Sequence, residues 1–207
     1  MFRRTCWLIA AILLPLLLLG GIGQVKGMVR ETAVAPTHFG DPNRQDETTS
    51  SETILIEAVH YAGYEGADDE AVSLINISES PVDVSSWQLT DGVSTAVLPA
   101  GLSISPGQII WLANDAAAFQ RQFGHLPNAA KDIVTFTLPA LTGTWPGFAN
   151  DGDEVLLSDS TAQLIDVLVY EDGDTSVTGW SGTAVEPYAP HNALPATGQI
   201  IYRMRNQ

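Results

Sequence analysis

Residues 68–92 read DDEAVSLINISESPVDVSSWQLTDG. Ala71 to Ile77 is a short, apolar run rich in branched side chains, the composition of a buried strand. Ser78 to Pro81 turns the chain. Val82 and Val84 restore apolar character at a spacing of two, so both fall on one face of an extended segment. Trp87, within Ser86 to Thr90, carries enough apolar area to fill the space between two sheets. Asp91-Gly92 is a turn dipeptide. Strands that alternate with turns at this pace indicate two stacked antiparallel sheets.

The same rhythm extends in both directions. Upstream, Ile54, Ile56 and Ala58 alternate with Leu55, Glu57 and Val59, ahead of a loop from Tyr61 to Asp69. Downstream, Thr95 to Leu98 ends at Pro99, Leu102 to Ile104 ends at Pro106-Gly107, and Gln108 to Ala113 is a well-marked buried strand. One helix interrupts. Asn114 or Asp115 can cap it, Ala116 to Phe123 supply helix formers, and Gly124 ends it. Phe119 and Phe123 stand four apart and share a side, so the helix is read as a short connection lying on the sandwich. Further strands are expected at Asp132 to Leu138, Glu154 to Ser158 and Leu164 to Tyr170, with a last one at Ile200 to Arg203. There is no βαβ alternation and no internal repeat.

Taken in order, these pieces resemble the lamin-tail domain. The likeness runs from Ile54 to Tyr170 through ILIEAV, the stretch quoted above, LPAGLSISPGQIIWLA, DAAAFQRQFG, and LIDVLVY. Before the last comes a W-x-G-x-x-N-x-GDEVLLSD element, here Trp145, Gly147, Asn150, Gly152, Asp153 and Glu154. The resemblance implies an all-β, immunoglobulin-like β-sandwich with one short connecting helix. It also implies a domain type found in nuclear lamins and in many bacterial exported proteins. Pro106-Gly107 would set a hairpin presenting Ile109 and Trp111, Gly152 would take a positive φ, and Val155 and Leu157 would point inward. One departure is visible: Ser73 stands where the family pattern commonly has a glutamate.

The N-terminus reads as an address. Arg3 and Arg4 precede an apolar run from Leu8 to Leu19, followed by small residues at Gly21, Gly23 and Gly27. Residues 1–27 are therefore a signal peptide or an N-terminal membrane anchor, the run being short for a spanning helix. Cys6, the sole cysteine, precedes the apolar core and is read as a bystander. Residues 28–52 are polar and proline-marked, a disordered linker. Residues 53–170 form the sandwich, and 171–207 a Gly/Pro-rich extension that could contribute a last strand. The body is placed outside the cell or on the outer face of the membrane, with membrane contact only through the N-terminal segment.

Charge narrows the partners. The chain has 9 Lys and Arg against 24 Asp and Glu. Arg3, Arg4 and Lys26 precede residue 28, leaving a net of −18 beyond it. Such a surface repels phosphate backbones and disfavours nucleic acid; a protein or cell-surface component is the expected partner. Catalytic signatures are missing: no G-x-S-x-G elbow, H-E-x-x-H helix or P-loop occurs. The histidines, His38, His60, His125 and His191, are scattered and read as loop or surface residues. Acid clusters occur at Asp68, Asp69 and Glu70, at Asp151, Asp153 and Glu154, and at Glu171, Asp172 and Asp174. Solvated turns are one reading of them. Calcium is the other, the one cofactor to consider, with Asp151, Asp153, Asp172 and Asp174 as ligands; the D-x-D-x-D-G ladder is absent. Asn76-Ile77-Ser78 is a formal glycosylation sequon. The chain thus reads as a non-catalytic binding or scaffold module. The alternative is an accessory domain of a secreted nuclease or phospholipase D-like hydrolase whose catalytic part lies elsewhere.

Overall fold

The computed structural model describes residues 53–188, 197–198 and 200–203. Residues 1–27, expected to be a signal peptide or anchor, residues 28–52, expected to be a linker, and His38 and His191 lie outside the described residues. In chain order the strands are β1 (Ile54–His60), β2 (Ala71–Asn76), β3 (Val82–Asp83), β4 (Gln88–Thr90), β5 (Thr95–Val97), β6 (Ser103–Ile104) and β7 (Ile109–Asp115). Helix α1 (Ala116–Phe123) follows, then β8 (Ala129–Asp132), β9 (Thr142–Gly143), β10 (Gly152–Ser158), β11 (Leu164–Glu171) and β12 (Ile201–Tyr202). One sheet has the order β12-β1-β2-β7-β8, the second β11-β10-β4-β5-β9, and β3 pairs with β6.

The two five-stranded sheets face each other across one core. Ile54, Ile56, Val59, Val72, Leu74, Ile110 and Leu112 come from the first, and Leu89, Ala96, Val155, Leu157, Leu168 and Tyr170 from the second. Val84 and Trp87 are buried among them, as the quoted stretch predicts. The period-two alternation of β1 does not run through unbroken. The register with β2 shifts between Ile56 and Ala58, so Val59, not Ala58, resumes the inward face. In β7 the inward residues are Ile110 and Leu112, while Ile109 is exposed and Trp111 faces away from this core.

Trp111 belongs instead to a second, smaller core on the outer face of the first sheet. Ala71, Ala113, Ala116, Phe119 and Ala130 form it, flanked by Trp111, Phe123, Ile133, Phe136 and Leu138. Helix α1 lies over this face. The Asp115 side chain accepts from the Ala118 N–H at 2.6 Å and Gly124 takes the left-handed C-cap, so both ends are satisfied by the residues the sequence offers. Phe119 stacks on Phe123 with centroids 4.3 Å apart. Burying a side chain of this size stabilises by about 1.5–3 kcal/mol.

One expectation needs correction. The strand placed at Asp132 to Leu138 lies earlier, at Ala129–Asp132, and runs parallel to β7. Residues 133–136 form a turn closed by the Phe136 N–H to the Ile133 carbonyl at 2.8 Å. Ile133 and Phe136 pack against the second core rather than pair in a sheet, while Val134 is exposed. The formal sequon at Asn76 is closed to modification. Asn76 is fully buried, donating to the carbonyls of Ile104 at 2.7 Å and Ser80 at 2.8 Å.

Candidate functional site

The chemistry-bearing residues gather where β1 and β11 end and β2 and β10 begin. His60 pairs with Ala71 across β1 and β2, and Gly152 with Glu171 across β10 and β11, so these four strand ends share one end of the sandwich. Gly152 has φ +133°, and an added Cβ would run into the backbone of Asp172 and Gly173. Only glycine lets β10 start this close to the loop after β11.

Four carboxylates here are buried or half-buried, each holding a loop. Asp69, 1% exposed, accepts from the Tyr64 N–H at 2.9 Å and the Glu65 N–H at 3.3 Å. His60 Nε2 lies 3.9 Å from the same carboxylate, and its ring meets Phe123 edge-on at 5.2 Å. Glu70 accepts from Trp145 Nε1 at 2.9 Å and the Phe148 N–H at 3.4 Å. Asp153 accepts from the Ala149 and Glu154 N–H groups at 3.0 and 2.9 Å. Glu171 accepts from the Tyr61 hydroxyl at 2.9 Å. Tyr61 stacks on Tyr170 at 4.0 Å, and the Tyr170 hydroxyl donates to the Ala149 carbonyl at 2.7 Å.

Burial dominates the electrostatics. It pushes the Glu70 carboxyl from 4.5 up to about 8, against the pull of its two N–H donors, with Asp69 and Asp153 adding to the rise. Burial likewise raises Asp153 and Glu154, with the neighbouring acids adding to each. Both tyrosine phenols are held far above their usual range, again chiefly by burial. A carboxyl this far up serves as a neutral hydrogen-bonding group near neutral pH.

The reading of Asp68, Asp69 and Glu70 as solvated turns is therefore overturned for Asp69 and Glu70: the Trp145–Phe148 segment and the loop before the 3-10 turn seal them in. His60 is likewise not a surface residue; it is fully buried on β1, whereas His125 is exposed. The four calcium candidates fall on two adjacent loops joined by the Asp172 N–H to the Asp151 carbonyl at 3.3 Å. Asp151, Asp172 and Asp174 are exposed and Asp153 is half-buried. Asp174 accepts from the Ser176 N–H at 2.7 Å. Among the described residues no group of three or more His, Cys, Asp or Glu is arranged to hold a metal ion.

Beside this end, a cleft of about 350 Å³ separates the β4–β5 turn from residues 174–178, over Glu154 and Leu156. The described residues are strongly acidic: 19 acids, five of them buried, stand against Arg121, Lys131 and Arg203. Arg121 pairs with Glu65 at 2.5 Å and Arg203 with Asp166 at 2.6 Å. Among the described residues no helix is long and apolar enough to cross a membrane.

Compared with known proteins, residues 47–172 match the family model of the Lamin Tail Domain. No curated protein matches the chain. Among solved structures it is similar to a DUF4876 family protein from Bacteroides thetaiotaomicron, with 10% identity and a TM-score of 0.43. That likeness covers 52% of this chain and 42% of the other, so the chain spans less than half of that protein's structure.

Proposed function

The chain belongs to the lamin tail domain family, and from that premise we propose that it is a non-catalytic binding module. It works outside the cell and engages a cationic protein or cell-surface component. The observation that supports this reading is how the motif residues are used. Trp87 and Trp145 are buried in the core, and Glu70 and Asp153 hold loops. What remains to act is the surface, and its carboxylates outnumber its cations several-fold. Such a face attracts basic partners over a Debye length and releases them in salt. Export is supported by the Arg3-Arg4 and Leu8–Leu19 pattern.

Two measurements test the two halves. Residues 1–52 fused to alkaline phosphatase, an enzyme active only outside the cytoplasm, should give active phosphatase; inactive fusion protein rejects export. The full chain, immobilised and exposed to the envelope fraction of its own host, should retain a specific component that moderate salt elutes. A charge-reversed Glu154→Lys/Asp174→Lys variant should retain less of it. Retention no better than on an equally acidic control protein rejects the binding reading.

A further inference from the structure

Among the described strands β11 is the outer member of the second sheet, and the backbone along its open side is only partly paired. The Val169 carbonyl accepts the Tyr188 N–H, and the Glu171 N–H donates to the Tyr188 carbonyl, both at 2.8 Å. Residues 169 and 171 therefore turn their backbone groups away from β10, and by the period of two Val167 does the same. The bridge to Tyr188 is a single isolated one. Pro187 precedes it and has no N–H with which to continue a ladder. Upstream, a groove of about 360 Å³ separates Asp166–Val169 from residues 183–188, with Trp180 and Arg203 also lining it.

Backbone donors face this groove. The Val167 carbonyl takes Arg203 Nη2 at a long 3.4 Å. Among the described residues neither a loop nor a side chain accepts from the N–H of Val167 or of Val169. The two residues are 6% and 0% exposed, and buried backbone donors are almost always paired. An extended chain laid in the groove would pair both at once. The shape suits one: the four residues of β11 present roughly 10 Å of edge, and Val167, Pro187 and Trp180 give the groove apolar walls. Charge narrows the occupant. Asp166 and Arg203 are paired with each other. Glu186 is exposed in the lining, and among the described residues it has no ion pair, so a basic residue is complementary there and an acidic one is repelled.

We propose that this groove is a peptide-docking site, in which an extended, basic segment of a partner protein adds a strand to β11 where Tyr188 and Pro187 leave the edge open. For the partner's class, a cationic protein, this rests on the binding reading above; it adds where on the surface that protein is held. The segment's backbone pairs with Val167 and Val169, and its basic residue faces Glu186.

The test uses the full chain, first alone. The N–H groups of Val167 and Val169 should exchange with solvent at least roughly tenfold faster than that of Leu168, which pairs with Val155 inside the β10–β11 ladder. Equal protection of all three would mean that the edge is already closed, and overturns the proposal. A random peptide library displayed on phage is then panned against wild type and against Ala184→Trp, which sets an indole in the groove from an exposed position. Wild type should enrich peptides that carry Lys or Arg. A synthetic copy of the commonest should slow exchange at Val167 and Val169 at least roughly tenfold, and Glu186→Lys should weaken its binding roughly three- to tenfold. No enrichment over Ala184→Trp, or binding that leaves the two amides as exchangeable as before, overturns the site. Should Ala184→Trp fail to fold, the Glu186→Lys comparison and the amide readout decide. The two readings fail separately: an Ala184→Trp chain that retains the envelope component at the wild-type level overturns the groove and leaves the binding reading in place.

Discussion

Arg203→Met should destabilise the fold by about 3 kcal/mol, at the lower end of the 3–5 kcal/mol that breaking a buried pair costs. Arg203 reaches across the edge where β1 and β11 approach. Its guanidinium pairs with Asp166 at 2.6 Å and donates to the Ile56 carbonyl at 2.9 Å. Asp166 Oδ2 also takes the Ile56 N–H at 2.7 Å, beside the bulge in β1. Without the arginine, a carboxylate that is 2% exposed loses this ion pair. Arg203 is 18% exposed, so water partly replaces it, hence the lower end of the range. For a domain of this size that corresponds to roughly 6–12 °C in melting temperature. The assay is urea and thermal unfolding of wild type, Arg203→Met, Asp166→Asn and the double variant. In the double variant no buried charge is stranded, so it should recover about 1–2 kcal/mol relative to the sum of the single losses. A loss below about 1 kcal/mol in Arg203→Met, or strict additivity, would refute the reasoning and class the pair with ordinary surface ion pairs.

Other outcomes follow from the same structure. Tyr61→Phe removes the donor to the buried Glu171 carboxylate and should cost about 1–3 kcal/mol in chemical unfolding. Gly152→Ala puts a Cβ into the backbone after β11 at φ +133°; a drop in melting temperature of several degrees is expected, and an unchanged curve would show that the strand start can shift. Between pH 4.5 and about 8 the folded chain holds a proton on Glu70 that the unfolded chain does not. That contribution to stability is fully present below 4.5 and is lost as pH rises through 8, at up to about 1.4 kcal/mol per pH unit. Denaturant titrations at several pH values should show this slope, and Glu70→Gln should flatten it. For Asp151, Asp153, Asp172 and Asp174, about 5 mM calcium should leave the melting curve of residues 28–207 in place, whereas a rise of several degrees would establish a site.

The parts legible in the sequence are those with local causes. Asp115, the Ala116–Phe123 run and Gly124 carry the whole specification of α1 within ten residues, and the structure places both caps on those residues. Trp87 and the inward pairs Ile54/Ile56 and Val155/Leu157 are equally local, since a period of two is set by the pleat. What failed depends on distant chain. Ile133 to Phe136 has strand composition, but the outer face of the first sheet needs a cover, and Ile133 and Phe136 supply part of it. Ala129–Asp132 has weak strand composition and pairs because β7 offers a parallel edge. Glu70 stands just before β2 and reads as solvated. Its burial is made by Trp145 and Phe148, 75 and 78 residues later. The signal available was the recurrence of a tryptophan and a carboxylate in the two best-marked motifs, which nothing in their spacing links.

Among the described residues, strand β12 pairs with β1 through Ile201 and Tyr202, and Arg203 adds its N–H to the Glu57 carbonyl. The family match ends at residue 172, so this edge is finished by chain beyond it. The first strand of the domain waits for its outer neighbour through nearly the whole length of the fold, a separation that makes closure slow. Until residues 201–203 are in place the outer edge of β1 stays unpaired, and an unpaired strand edge is a template for pairing with another chain.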